Sequence, residues 1–184
     1  MILVLPSMNK RELTLRQAAI SDTQLVAEMH ARSWAATYRG TLPERYLNDE
    51  MPAERLAYWQ EKMPKLADGS GAVFIAELAG KPGGLLCVIG PDHNHGVLVD
   101  NLHAMPEYKG SGAGTAMLET AAQWAIERGA FHLHLLVLEQ NLAAIGFYES
   151  RGWRRVGKQD AKLGNIDVAA LIYVRTLEGR DQIL

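Results

Sequence analysis

The stretch Glu107-Tyr108-Lys109-Gly110-Ser111-Gly112-Ala113-Gly114 (EYKGSGAG) lies between an apolar run, VLVDNLHAM at 97–105, and a segment of helical character, TAMLETAAQWAIERG at 115–129. Three glycines at alternate positions are costly to order, so something must gain from the missing side chains. A strand ending near Ala104-Met105-Pro106 and a helix opening at about Gly112 place this loop at a helix N-terminus. There, about four N–H groups lack intrahelical acceptors and the macrodipole puts roughly half a positive charge. Bare backbone at Gly110, Gly112 and Gly114 lets a phosphate approach those donors, with Lys109 adding a cation at the rim. The physical reading is a pyrophosphate cradle; the alternative is a flexible glycine turn with no ligand. Two nucleotide loops fit worse. The Walker pattern closes on Gly-Lys-Ser/Thr, whereas Gly114 is followed by Thr115-Ala116. The dinucleotide fingerprint G-x-G-x-x-G requires glycine at 115 and an acidic residue about 20 positions on.

Around this loop the pattern predicts a strand at 13–17, then a helix beginning at Ser21-Asp22-Thr23-Gln24, with Ser21 and Gln24 at capping-box spacing. Gly40, Pro43 and Pro52 break residues 35–52 into a loop with a short helix, and a second helix is expected over about 53–63. AVFIAEL (72–78) and GLLCVIG (84–90) read as strands about a tight turn, and 95–104 as another. Leu118, Ala121, Ala122 and Ala125 recur at helical period, with Gly129 as the stop. A strand at 131–138, a short helix at 141–150 and strands at 153–160 and 165–176 complete the chain. The fold class expected is α/β (α+β): one domain spanning 1–184, its core at about 13–176, with a mixed, mostly antiparallel sheet flanked by helices.

Composition narrows the function. Nineteen Lys and Arg against 21 Asp and Glu give a formal charge of −2, so no positive field suggests nucleic acid. The single cysteine, Cys87, forms no internal disulfide, and a reduced cytoplasmic setting is the simplest expectation. The apolar opening MILVLP is too short for a signal segment, and no run approaches the roughly 20 apolar residues of a membrane span.

Lys109-x-x-Gly112-x-Gly114, in the context PEYKGSGAGTAML, resembles the Gln/Arg-x-x-Gly-x-Gly/Ala loop of the GNAT superfamily of N-acetyltransferases, with lysine at the first position. A second stretch, Asn141-x-x-Ala144-x-x-Phe147-Tyr148-x-x-x-Gly152-Trp153, is similar to that family's Asn-x-x-Ala-x-x-Phe-Tyr-x-x-x-Gly-Phe. The resemblance extends to the order of strands and helices over 13–176. It implies that Lys109, Gly110, Ser111, Gly112, Ala113, Gly114 and Thr115 hold the pyrophosphate of acetyl-CoA. It implies further that backbone groups of Leu102, His103 and Ala104 pair with the pantetheine arm as an added strand would, and that Asn141 reaches the same arm. Asn141 also suits the N-cap of its helix. C-terminal strand pairing into homodimers is common among such relatives.

Acetylating an amine requires a neutral nucleophile, a polarised carbonyl and a leaving thiolate. A lysine-like amine with pKa near 10.4 is neutral about once in 2,500 molecules at pH 7, whereas a thiol of pKa about 8.5 leaves readily. Deprotonation is therefore the larger need. By resemblance Tyr148 points its hydroxyl at the coenzyme A sulfur as the acid; otherwise it packs as a core aromatic beside Phe147. Strand alternation groups Leu98, Asp100 and Leu102 on one face, so Asp100 is the candidate base, or else a group that binds a cationic substrate or is structurally hydrogen-bonded. His103, expected on the opposite face, and Glu77 are reserves. His93 with His95, and His132 with His134, lack a third ligand at a familiar spacing, so no metal is expected. Cys87 reads as a small core residue.

The resemblance places the acceptor by Trp34, Tyr38, Arg39 and Tyr46. The segment Ser33-Trp34-x-x-Thr37-Tyr38-x-Gly40 is similar to one found in bacterial members of unassigned specificity, and Trp34 with Tyr38 is equally an i, i+4 packing pair. The expected reaction is acetyl transfer to the amine of a small molecule or peptide, directly within a ternary complex. A non-catalytic acyl-CoA-binding or regulatory module and a nucleotide-binding protein are the competing readings.

Overall fold

Residues 72–78 and 84–90 are apolar at nearly every position, the pattern of strands covered on both faces. The computed structural model describes residues 12–177 apart from 41, 95, 164 and 165; the opening at 1–6, His95 and Asn165 lie outside the described residues. Its seven strands are β1 (Leu13–Gln17), β2 (Gly71–Leu78), β3 (Lys81–Ile89), β4 (Gly96–Ala104), β5 (His132–Leu138), β6 (Arg154–Leu163) and β7 (Ile166–Thr176). They form one sheet in the order β1-β2-β3-β4-β5-β7-β6. Every neighbouring pair is antiparallel except β4–β5. Four helices, α1 (Thr23–Tyr38), α2 (Met51–Lys65), α3 (Ala113–Ile126) and α4 (Leu142–Glu149), complete the expected order.

Alternation along the central strands sorts the core into two layers. Val73, Ile75, Leu85 and Cys87 face α1 and α2, where Val26, Met29, Trp59 and Met63 cover them. Ala72, Ala76, Leu86 and Val88 face α3, joined by Met117, Leu118 and Ala121, and the same layer continues to Tyr148 and Trp153 beside α4. Burial on both sides explains why β2 and β3 read as continuous apolar runs.

Two expectations about the first helices are corrected. The cap before α1 does not come from Ser21: a one-turn helix precedes Thr23, and the Asp22 carboxylate accepts from the Ala19 N–H at 2.8 Å. Nor does Pro52 break the chain. It occupies the first turn of α2, where its missing N–H would have had no intrahelical acceptor, and a π-helical turn at Tyr46–Glu50 runs straight into it. The loop between the helices is accordingly shorter than expected.

Candidate functional site

Among the described residues the parallel pair β4–β5 is joined only at Gly96–His132, Val97–Leu133 and Leu98–His134. Beyond Leu98 the strands part: β4 stays on β3 as far as Ala104, while β5 stays on β7 to Leu138. The sheet thus opens as a V, and Leu102, His103 and Ala104 line its β4 arm without a partner strand on that side.

The glycine loop lies just beyond the end of β4. Tyr108 anchors it: its ring is buried, its hydroxyl donates to the Lys81 carbonyl at 2.5 Å, and a Cβ on Gly83 would stand 2.1 Å from it. Gly110 and Gly112 have φ of +78° and +88°, and Gly112 is the residue before the first turn of α3. Their glycines are required by the left-handed backbone. Gly114 differs, because a Cβ there would come within 2.9 Å of Phe147 Cζ. Its missing side chain makes room for α4, which corrects the expectation that all three glycines clear space for a phosphate. Ser111 Oγ donates to the Tyr108 carbonyl at 2.6 Å and accepts from the Ala113 N–H at 3.3 Å. Among the described residues, no acceptor takes the N–H groups of Gly112, Gly114 and Thr115. The helix mouth therefore presents unspent donors together with its positive dipole end, a composition suited to an anion.

Asn141 Oδ1 accepts from the Ala144 N–H at 3.1 Å and caps α4, and among the described residues its amide nitrogen has no partner. Arg151 ties α4 to the loop by donating to Thr115 Oγ1 at 3.0 Å. Tyr148 is buried between Phe147 and Trp153, with ring centroids at 5.3 and 5.7 Å. Burial raises its pKa well above the tyrosine value, and the nearby Tyr38 adds to the shift. None of the described residues hydrogen-bonds its hydroxyl.

On the other face, polar side chains of α1, α2 and β4 meet in a cluster, here termed the chamber. A bulge in β4 opposite Cys87 and Val88 overturns the expected alternation. One extra residue moves Asp100 onto the side of Asn101 and His103, whose ladder partners Cys87 and Leu85 face α1 and α2. Asp100 and His103 are therefore neighbours on one side rather than on opposite faces. Asp100 is no free carboxylate either: its Oδ2 accepts from Lys62 Nζ at 2.8 Å, from the Tyr58 hydroxyl at 3.1 Å and from the Asn101 amide. Burial works against the Lys62 ammonium, but Asp100 and Tyr58 outweigh it and hold its pKa above the lysine value.

His103 stacks on His30 with centroids 4.6 Å apart, and its Nδ1 lies 3.2 Å from Ser33 Oγ. Burial, aided by Arg55 and opposed by Asp100, holds the pKa of His103 down to about 4. His30, 2 % exposed, is pushed to about 2 by burial and by the neighbouring His103, Arg55 and Lys62. Both rings are neutral near pH 7. Trp34 and Tyr38 continue the wall: His30–Trp34 centroids are 5.3 Å apart and Trp34–Tyr38 5.4 Å, both edge to face. The wall thus runs from His103 to the neighbourhood of Tyr148. A groove of about 360 Å³ beside it, lined by Arg32, Ala35, Ala36, Arg39, Pro106 and Glu107, reaches the start of the glycine loop.

Sequence reasoning singled out Trp34, Tyr38, Asp100 and His103 but gave no role to His30, Arg55, Tyr58 and Lys62. The last three stand at i, i+3 and i+7 on one side of α2, and that spacing was the available signal. Tyr46 is directed elsewhere, its hydroxyl donating to Glu54 at 2.8 Å, and Arg39 lines the groove. Glu77, a reserve base, is paired with Arg16 at 2.8 Å on the β1–β2 edge, away from β4. Burial pushes the Cys87 thiol up to about 12, in keeping with a core role. Among the described residues no group of three or more His, Cys, Asp and Glu is placed to hold a metal, and no helix is long and apolar enough to cross a membrane.

A family model described as the Acetyltransferase (GNAT) family matches residues 29–153. YuaI, an N-acetyltransferase of Bacillus subtilis (strain 168), is 26% identical over 166 residues, covering 84% of this chain and 87% of that protein. A thialysine N-epsilon-acetyltransferase of Mus musculus is 32% identical over 66 residues, 31% of this chain and 39% of that protein. The fold is that of the PaiA N-acetyltransferase of Thermoplasma acidophilum, solved in complex with coenzyme A: TM-score 0.73 at 18% identity, covering 90% of this chain and 99% of that one.

Proposed function

The chain belongs to the acetyltransferase (GNAT) family, and from that premise we propose that it moves an acetyl group from acetyl-CoA to a primary amine of a small molecule or peptide, directly within a ternary complex. Residues 1–184 would form one such domain around a core at 13–176. The observation that carries this reading is the parting of β4 from β5 beside a helix mouth with unspent N–H donors. An extended pantetheine arm fits the opening as a strand fits a sheet edge, with the Leu102, His103 and Ala104 backbone as its partner. The diphosphate lies on the 109–115 loop, with the Gly112, Gly114 and Thr115 N–H groups as donors and Lys109 at the rim. Asn141 holds the arm from the α4 side.

The amine enters from the chamber of α1, α2 and β4. It reacts in its neutral form, and the proton it sheds as the amide bond forms passes to His103, whose Nδ1 lies 3.2 Å from Ser33 Oγ; in the tautomer that donates Nδ1–H to that hydroxyl, Nε2 carries the lone pair. Asp100 favours the resulting imidazolium electrostatically, so it acts behind the histidine rather than on the amine. The neutral amine attacks the thioester carbonyl, the carbon–sulfur bond breaks, and the thiolate takes a proton from the Tyr148 hydroxyl. Tyr148 suits that task because burial keeps it protonated.

An amine panel assayed for acetyl-CoA-dependent thiol release tests the function. Release with at least one amine is expected, and calorimetry should give heat with coenzyme A and with acetyl-CoA. Well-folded protein giving no heat with either ligand would remove the proposal.

A further inference from the structure

Among the described residues Arg55 is the one chamber cation without an anion. Its guanidinium carbon lies 4.7 Å from the Trp34 ring centroid and 5.2 Å from that of Tyr58. Its Nε is buried without a hydrogen-bond partner, and among the described residues no carboxylate or carbonyl pairs with the group. The carboxylates around it are engaged: Asp100 with Lys62, and Glu54 with the Tyr46 hydroxyl. A second orphan borders the same rings. His30 stands edge to face with both Trp34 and Tyr58, at 5.3 and 6.2 Å, and its Nε2 is buried without a partner. An indole N–H can only donate, so the 3.0 Å contact from Trp59 Nε1 makes His30 Nδ1 the acceptor. In a neutral ring the proton then sits on Nε2. Both orphans are donors.

Buried donors left unpaired are costly, and a guanidinium resting on two aromatic faces is held ready for a planar two-oxygen partner. We propose that the acceptor amine carries a carboxylate, bound by Arg55 with His30 Nε2–H beside it, so that the acceptor is amino-acid-like rather than a polyamine. This rests on reading the chamber as the acceptor side, and it names the acceptor's chemical class. Lys62 and Asp100 cancel each other, so the chamber as a whole carries Arg55's positive charge and disfavours a second ammonium.

Matched pairs that differ only in the carboxylate test it: lysine against cadaverine, ornithine against putrescine, phenylalanine against phenethylamine. Binding to the coenzyme A-loaded protein is measured by calorimetry, and kcat/KM by thiol release. In at least one pair the carboxylate partner should bind about 10- to 10²-fold more tightly, the range of a charge-assisted hydrogen bond, and Arg55→Met should erase that margin without changing acetyl-CoA affinity. Should Arg55→Met not fold, Arg55→Lys, which keeps the charge but loses the two-pronged donor, should cut the margin severalfold. No preference in any pair, including no binding at all, overturns the proposal, as does an undiminished margin in a folded variant. Phosphoethanolamine against ethanolamine is the control, and a margin there alone overturns the carboxylate assignment. A binding margin without thiol release sinks the transfer reaction and leaves Arg55 standing, whereas release without a margin does the reverse.

Discussion

Lys62 of α2 and Asp100 of β4 meet at 2.8 Å with side chains only 16% and 24% exposed, and the Tyr58 hydroxyl bridges them. Removing one partner leaves the other charge poorly solvated and unpaired, which costs more than the pair contributes. Lys62→Met should therefore lower stability by about 1–3 kcal/mol in urea unfolding, and Lys62→Met with Asp100→Asn should recover part of the loss. If Lys62→Met unfolds at the wild-type midpoint, the pair is not a structural tie between α2 and the sheet.

The fold was legible where local pattern and burial agree. Continuous apolar runs marked β2 and β3, the 118, 121, 122, 125 spacing marked α3, and Gly129, at φ +72°, ends that helical segment. The site was legible only in part. A single bulge residue reverses which side of β4 a side chain takes, and nothing in VLVDNLHA announces it, so simple alternation puts Asp100 and His103 on opposite faces. The chamber was hidden because its ties are long-range: Trp59 reaches back 29 residues to His30, and Lys62 forward 38 to Asp100.

Gly114 should behave differently from the other loop glycines. Gly114→Ala forces a methyl against Phe147, an overpacking strain of about 1–3 kcal/mol, which Phe147→Leu should relieve. Gly112→Ala meets no neighbour but must hold φ +88°, costing about 1–2 kcal/mol that no packing change relieves. Denaturant midpoints of the three variants separate the two causes; failure of Phe147→Leu to rescue Gly114→Ala would show that the contact is not the reason for the glycine.

Stability should fall in mild acid. In the unfolded chain His30 and His103 take up protons as pH drops through about 6.5, whereas the folded protein keeps them neutral to about 2 and about 4. Their contribution is complete above pH ~6.5 and is lost as pH falls below it, at about 1.4 kcal/mol per pH unit for each histidine. Urea midpoints measured from pH 7.5 to 4.5 should decline below 6.5, and His103→Gln should flatten that decline by about one proton. An equal slope in the variant would mean that His103 titrates normally in the folded protein.

Tyr148→Phe isolates the leaving-group step. The hydroxyl has no hydrogen-bond partner among the described residues, so its removal breaks no structural bond, and the ring keeps its contacts with Phe147 and Trp153. Because a thiol leaves with modest help, kcat should drop by about 10²-fold or less, with acetyl-CoA affinity by calorimetry unchanged. The pH profile adds a check. With His103 neutral down to about 4, the rise of kcat/KM from pH 6 to 8 should follow deprotonation of the amine, and the variant should keep that rise at a lower level. A wild-type kcat in Tyr148→Phe would assign thiolate protonation to water and return Tyr148 to the core.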